Sequence, residues 1–137
     1  MRKILTKIII ILCFVVGMVG CAGITDYTVS LNNDYYISKT SANNIKVYKE
    51  EDKDITGNAP SIPIYNESKE KEFNKESIIK LGYDNCYIIA KTNLNRYYIL
   101  DIKEESVFEF LSEKEFNLKL EKLGIEDMSL KDISEYK

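Results

Sequence analysis

The sequence predicts an α+β fold. An antiparallel sheet of six to seven strands, four of them a C-terminal meander, carries one C-terminal helix and follows an N-terminal signal peptide. Three observations carry this. Short runs rich in Tyr, Ile and Val alternate with Asn/Asp turns, the mark of antiparallel strands. The later connections are two to four residues long, which favours hairpin neighbours. One segment alone has a helical stripe, in which Phe116, Leu120 and Leu123 recur at i, i+4 and i+7.

The first twenty residues stand apart. Arg2, Lys3 and Lys7 lead into an apolar run from Ile8 to Val19, broken only by Gly17, and Gly20 and Cys21 follow. A basic start, an apolar run of ~7–15 residues and a small residue before a cut make up a secretory signal peptide. Met18-Val19-Gly20-Cys21 has the form of a lipobox, with cleavage between Gly20 and Cys21 and a diacylglycerol on the Cys21 sulfur. Two acyl chains suffice for stable attachment where one is marginal. The expectation is therefore a membrane partner through lipidated Cys21, on the extracytoplasmic face of the cell membrane. Read on to Ile24, the apolar stretch reaches 17 residues, the short edge for a span. An uncleaved anchor is the competing reading. Residues 1–20 are assigned to the signal peptide, 21–26 to a tether and 27–137 to one α+β domain.

Cleavage removes three of the nineteen basic residues and none of the 22 acidic ones, so formal charge falls from −3 to −6. An acidic body is a poor match for nucleic acid, whose affinity comes from Lys and Arg on phosphates, and no nucleic-acid partner is expected. Of three cysteines, Cys13 leaves with the signal peptide and Cys21 is alkylated. Cys86 is left without a disulfide partner, and its run Cys-Tyr-Ile-Ile-Ala reads as a buried strand residue.

Along the body, strands are expected over 27–31, 35–40 and 45–49, with a charged loop over 50–60. Ile62 to Tyr65 is at best an edge piece because of Pro63. Residues 66–74 read as an exposed, mobile loop, with a one-turn helix as the other reading. The meander then runs 77–83, 86–92, 97–102 and 107–111. Its middle strands are apolar on both faces, with Ile88 and Ala90 opposite Tyr87 and Ile89, so each face needs a cover. The helix from Glu113 to Leu123 supplies one, capped by Ser112 with Glu115 and stopped at Gly124; the N-terminal strands supply the other. A further short turn is expected after Ser129.

Little in the chain points to catalysis. There is no histidine to serve as a base. Ser38-Lys39 and Ser77 with Lys80 are the Ser–Lys pairs on offer, and neighbours on a strand point to opposite faces. Asp101, Glu104 and Glu105 read as a solvated turn rather than a hydrolase pair. Glu50-Glu51-Asp52 with Asp54 lacks the spaced ligands of a calcium loop. The six glycines are scattered, so no phosphate-cradling loop exists. No cofactor or metal is expected. Tyrosine is the unusual residue, with ten copies. The doublets Tyr35-Tyr36 and Tyr97-Tyr98 should each send one ring inward and one outward, which makes these four the candidate partner surface.

Cys21-Ala-Gly-Ile-Thr-Asp-Tyr27, Lys39-Thr-Ser-Ala42, Tyr87-Ile-Ile-Ala-Lys91, Tyr97-Tyr-Ile-Leu-Asp101 and Ser112-Glu-Lys-Glu-Phe116 occur in an order that resembles an uncharacterised family of small bacterial lipoproteins. That family is of the domain-of-unknown-function type, mostly from spore-forming bacteria of the Gram-positive type. The chain departs from it at Tyr98, where the family tends to have tryptophan, at Phe110-Leu111, where a Gly-Pro pair often stands, and in its longer 66–74 segment. The resemblance implies an extracytoplasmic location and transfers no catalytic residue. The expected function is a lipid-anchored, non-enzymatic domain that binds or modulates a partner at the cell envelope. The alternative is an inhibitor or immunity-type lipoprotein that blocks a toxin or a cell-wall hydrolase.

Overall fold

The computed structural model describes residues 26–32, 34–41, 43–50 and 59–136. The expected signal peptide with Gly20, Cys21, all of the expected tether but Asp26, and the acidic run 51–54 lie outside the described residues.

Among the described residues eight strands form two antiparallel sheets rather than the expected one of six to seven. Strands β1 (Tyr27–Ser30), β2 (Tyr35–Ser41) and β3 (Asn44–Lys49) make a three-stranded sheet in that order. The five-stranded sheet is ordered β7-β6-β5-β4-β8, from β4 (Ile78–Tyr83), β5 (Tyr87–Thr92), β6 (Tyr97–Asp101), β7 (Ser106–Phe110) and β8 (Lys131–Asp132). The meander thus forms as expected. The N-terminal strands do not extend its edge but lie over one face. The physical reason is the apolar pattern of β5 and β6, which needs a cover on both sides. Ile37, Ile45 and Val47 from the small sheet meet Leu81, Ile88, Ala90, Tyr98 and Leu100 from the large one in a single buried cluster.

The other face is covered by the C-terminal helix. Ile89, Tyr97 and Ile99 pack against Phe116 and Leu120. The Ser112 hydroxyl accepts from the Glu115 amide at 3.2 Å, which caps one of the open N–H groups of the first turn. Glu115 reaches back to the hydroxyl itself, at 3.3 Å, rather than to the Ser112 amide. Gly124 ends the helix with φ +68°, a left-handed conformation that glycine adopts without a Cβ clash.

Two segments differ from expectation. Residues 66–74 are largely exposed, as expected, but helical rather than a loop, which matches the second reading, a one-turn helix. A 3-10 turn (Glu67–Lys69) leads into a short helix, α1 (Glu70–Lys75), so the C-terminal helix becomes α2 (Glu113–Leu123). Asn66 caps the turn through Oδ1, which accepts from the Ser68 amide at 3.0 Å. Phe73, the lone apolar residue of the stretch, anchors it: it is buried and meets Tyr65 edge-on at 5.2 Å. The turn expected after Ser129 is β8 followed by a 3-10 turn (Ile133–Tyr136). That strand pairs with β4 through Lys80–Asp132 and Leu81–Lys131.

The tyrosine surface also needs correction. Tyr97 and Tyr98 do point to opposite faces of β6, but both faces are covered, so both rings are buried. Tyr35 lies in the core between the sheets, and only Tyr36 turns to the outer face, half-buried against Tyr48 at 5.9 Å. Cys86, expected in a buried strand, is exposed just before β5. The Asp84 carboxylate accepts from the Cys86 and Tyr87 amides, both at 2.7 Å, and this turn delays the start of the strand.

Candidate functional site

At one end of the sandwich, α1 closes over the β5–β6 turn, and a buried carboxylate sits beneath it. Glu76, just after α1, is 2% exposed. Its Oε1 accepts from Thr92 Oγ1 at 2.7 Å and from the Tyr98 hydroxyl at 2.9 Å, and its Oε2 pairs with Arg96 Nη1 at 3.0 Å. Arg96 also pairs with Glu72 and, at 3.6 Å, with Glu109. One guanidinium, a rigid fork of five donors, is thus shared among three carboxylates. It ties α1 to the ends of β6 and β7.

A second cation lies behind this cluster. The Lys46 ammonium donates to the Phe73 carbonyl at 2.7 Å and to the Glu76 carbonyl at 2.8 Å, at the C-terminal end of α1. It also lies 4.3 Å from the Phe73 ring centroid. Burial pushes Lys46 down from 10.5 to about 8, although the charge of Glu76 opposes the shift. From pH 8 to 10.5 the unfolded chain therefore holds a proton that the folded chain has lost, and stability through this group rises with pH. Burial raises Tyr98 and Tyr48, so above pH 10 the folded chain keeps protons that the unfolded chain loses, and stability falls. Urea midpoints are thus expected to climb from pH 8 toward pH 10 and then drop. Lys46→Met should abolish the climb whatever its baseline, and an unchanged climb would count against a buried Lys46.

Chemically, this end reads as a scaffold. The donors on Glu76 leave it little capacity for a substrate. The adjoining cavity, bounded by Glu72, Phe73, Arg96 and Tyr98, holds about 80 Å³, below the ~300 Å³ where ligand pockets begin. The other acids also take up local duties. Asp101 accepts from the Glu104 amide at 3.0 Å, and Glu105 pairs with Lys49. Ser77 accepts from the Ile45 amide at 3.0 Å, tying the two sheets together. Among the described residues no cluster of three or more His, Cys, Asp or Glu is placed to hold a metal. No helix among them is long and apolar enough to cross a membrane.

Of the four predicted tyrosines, only Tyr36 presents its ring to an open outer groove. The registers Thr28–Ser38 and Ser30–Tyr36 put these four side chains on the outer face of the small sheet. They line a cavity of about 730 Å³, which Asp34 and Glu50 also border. Sequence reasoning missed Glu76, Thr92, Arg96 and Lys46, since each looks like an ordinary polar residue at a strand or turn. The usable signal was Glu76-Ser77 directly before an apolar strand, a place where a charge is buried or ends a helix.

Comparison with known proteins adds the family. Residues 32–134 match the family described as a protein of unknown function (DUF3997), a span that takes in every strand but β1. No curated protein and no solved structure matches the chain. The resemblance to an uncharacterised family thus has a definite form: this chain belongs to the DUF3997 family.

Proposed function

We propose that the protein is a lipid-anchored, extracytoplasmic and non-enzymatic domain that binds or modulates a partner at the cell envelope. The observation that carries this reading is Met18-Val19-Gly20-Cys21, placed directly after a basic lead and an apolar run. The lipoprotein character of the family, and its home in spore-forming bacteria of the Gram-positive type, belong to the same proposal. The acidic body supports it from the side of exclusion, since it repels both nucleic acid and an anionic membrane surface. The lipid then has to do the holding. The hydroxyl-lined groove around Tyr36 offers a partner an aromatic ring and several hydrogen-bonding groups on one face.

Cys21→Ala tests the anchor. In cells fed a labelled fatty acid, the wild-type chain is expected to carry label and to be shortened. The variant should carry none and should accumulate at precursor length. A variant that is labelled and trimmed like wild type would sink the reading.

A further inference from the structure

The far end of the sandwich differs from the scaffold around Glu76. There the β4–β5 turn, the β6–β7 turn, the start of β2 and the end of β3 meet. Lys49 and Glu105 pair across the gap between the sheets, and Asn32 Nδ2 donates to Asn85 Oδ1 at 3.0 Å. These turns border an open cleft of about 380 Å³, lined by Asp34, Tyr35, Lys49, Cys86, Lys103 and Glu105. Its volume falls within the ~300–1,000 Å³ range of small-molecule pockets.

One group in this lining is out of keeping with a finished interior. Tyr35 is 1% exposed, yet its hydroxyl has no hydrogen-bond partner among the described residues. Buried polar atoms are nearly always paired, and the hydroxyl of the equally buried Tyr98 has its carboxylate. The charges that act on the Tyr35 phenol are those of Glu105 and Lys49, both in the same lining. Burial and Glu105 hold the phenol above its ordinary value while Lys49 opposes them, so it stays protonated and donates. Asp34 and Glu105 are also two of three non-glycine residues with positive φ among the described residues, at +66° and +50°. The backbone is thus held in a costly conformation at this lining.

The chemistry of the missing partner follows from these groups. The phenol needs an oxygen acceptor. Lys49 and Lys103 favour one that is negatively charged, and Asp34 and Glu105 favour a positive group on the same molecule. Two acids and two bases together disfavour a multiply charged anion. We propose that this cleft binds a small zwitterion of the amino-acid type, free or as a short peptide, with its carboxylate on the Tyr35 hydroxyl. The inference goes beyond the proposed envelope function and does not depend on the lipid anchor.

Alanine, alanyl-alanine, acetate and inorganic phosphate serve as probes against the full chain in detergent, by calorimetric titration and thermal unfolding. At least one of the two zwitterions is expected to titrate saturably and to raise the unfolding midpoint, and which one does so separates a free amino acid from a peptide. Acetate should bind at least about tenfold more weakly. Tyr35→Phe removes only a hydroxyl that has no partner among the described residues, so its midpoint without ligand should equal or exceed that of wild type. Its affinity for the zwitterion should fall at least about tenfold, the usual scale for losing a hydrogen bond to a charged group. The bound zwitterion should also slow alkylation of Cys86, read by mass spectrometry of the peptide that contains it. The proposal is overturned if neither zwitterion titrates, if phosphate or acetate binds as tightly, or if Tyr35→Phe binds like wild type. A Tyr35→Phe chain that is less stable or unfolded overturns it as well, because the hydroxyl then has a structural partner.

Discussion

Replacing Glu76 by alanine is expected to lower the unfolding free energy by about 3–5 kcal/mol, the range for removing one partner of a buried ion pair. The loss is large because three donors depend on this carboxylate. Thr92 Oγ1, the Tyr98 hydroxyl and Arg96 Nη1 all end on it. Thr92 and Tyr98 are buried, so their hydroxyls would lose a charged acceptor that water replaces only in part. Against a typical total of ~5–15 kcal/mol for a domain, such a change removes a large share of the stability. Glu76→Gln should cost less, because its amide oxygen can still accept from Thr92 and Tyr98, although its NH2 then faces the Arg96 donors and the ion pair with its hydrogen bond is lost. Urea denaturation of the three chains gives the order wild type, then Gln, then Ala. An alanine variant within about 1 kcal/mol of wild type would mean that the cluster is not a hub.

The second large effect is expected at Gly82. A Cβ built at this position would lie 2.4 Å from the Ser129 carbonyl oxygen and 3.1 Å from Ile89 Cγ1. The nearer obstacle is backbone, which cannot rotate aside. Gly82→Ala should therefore push the segment leading into β8 away from β4, at the ~1–3 kcal/mol typical of overpacking. The Lys80–Asp132 and Leu81–Lys131 pairings would loosen, as would the bond from the Tyr136 hydroxyl to the Leu81 carbonyl, now 2.8 Å. Hydrogen exchange should speed up at residues 80–82 and 131–132 while the β5–β6 ladder keeps its protection. Unchanged exchange at β8 would show that the C-terminal segment adjusts without cost.

What could be read from the residues alone follows a physical divide. Local signals sufficed where hydrogen bonding and periodicity are local, so the meander of β4 to β7 and the capped helix α2 were legible to within a residue or two. The need for a cover on each face of β5 and β6 was legible too, because both faces of those strands are apolar. That the N-terminal strands would supply one cover was legible as well; that they would do so as a separate sheet was not, since alternation in β1 to β3 gives one apolar face but does not say which strands pair edge to edge. Helix α1 was legible only as the second reading of its segment, because one buried phenylalanine in a charged stretch makes no stripe. Strand β8 is two charged residues long and exists through its pairing with β4. The tyrosine doublets misled for a related reason: alternation fixes which way a ring points, and burial depends on what lies beyond it. The Glu76 cluster draws on α1, β5, β6 and β7, residues far apart in the chain and ordinary in their local surroundings.

The proposed placement of the protein rests on the sulfur of Cys21, and its state in native material tests that most directly. Mass spectrometry of the amino-terminal peptide, from protein isolated from its own membranes, should find a chain that begins at Cys21 with a diacylglycerol on Sγ. A peptide that begins at Met1, or an unmodified Cys21, would contradict the anchor and the envelope role built on it.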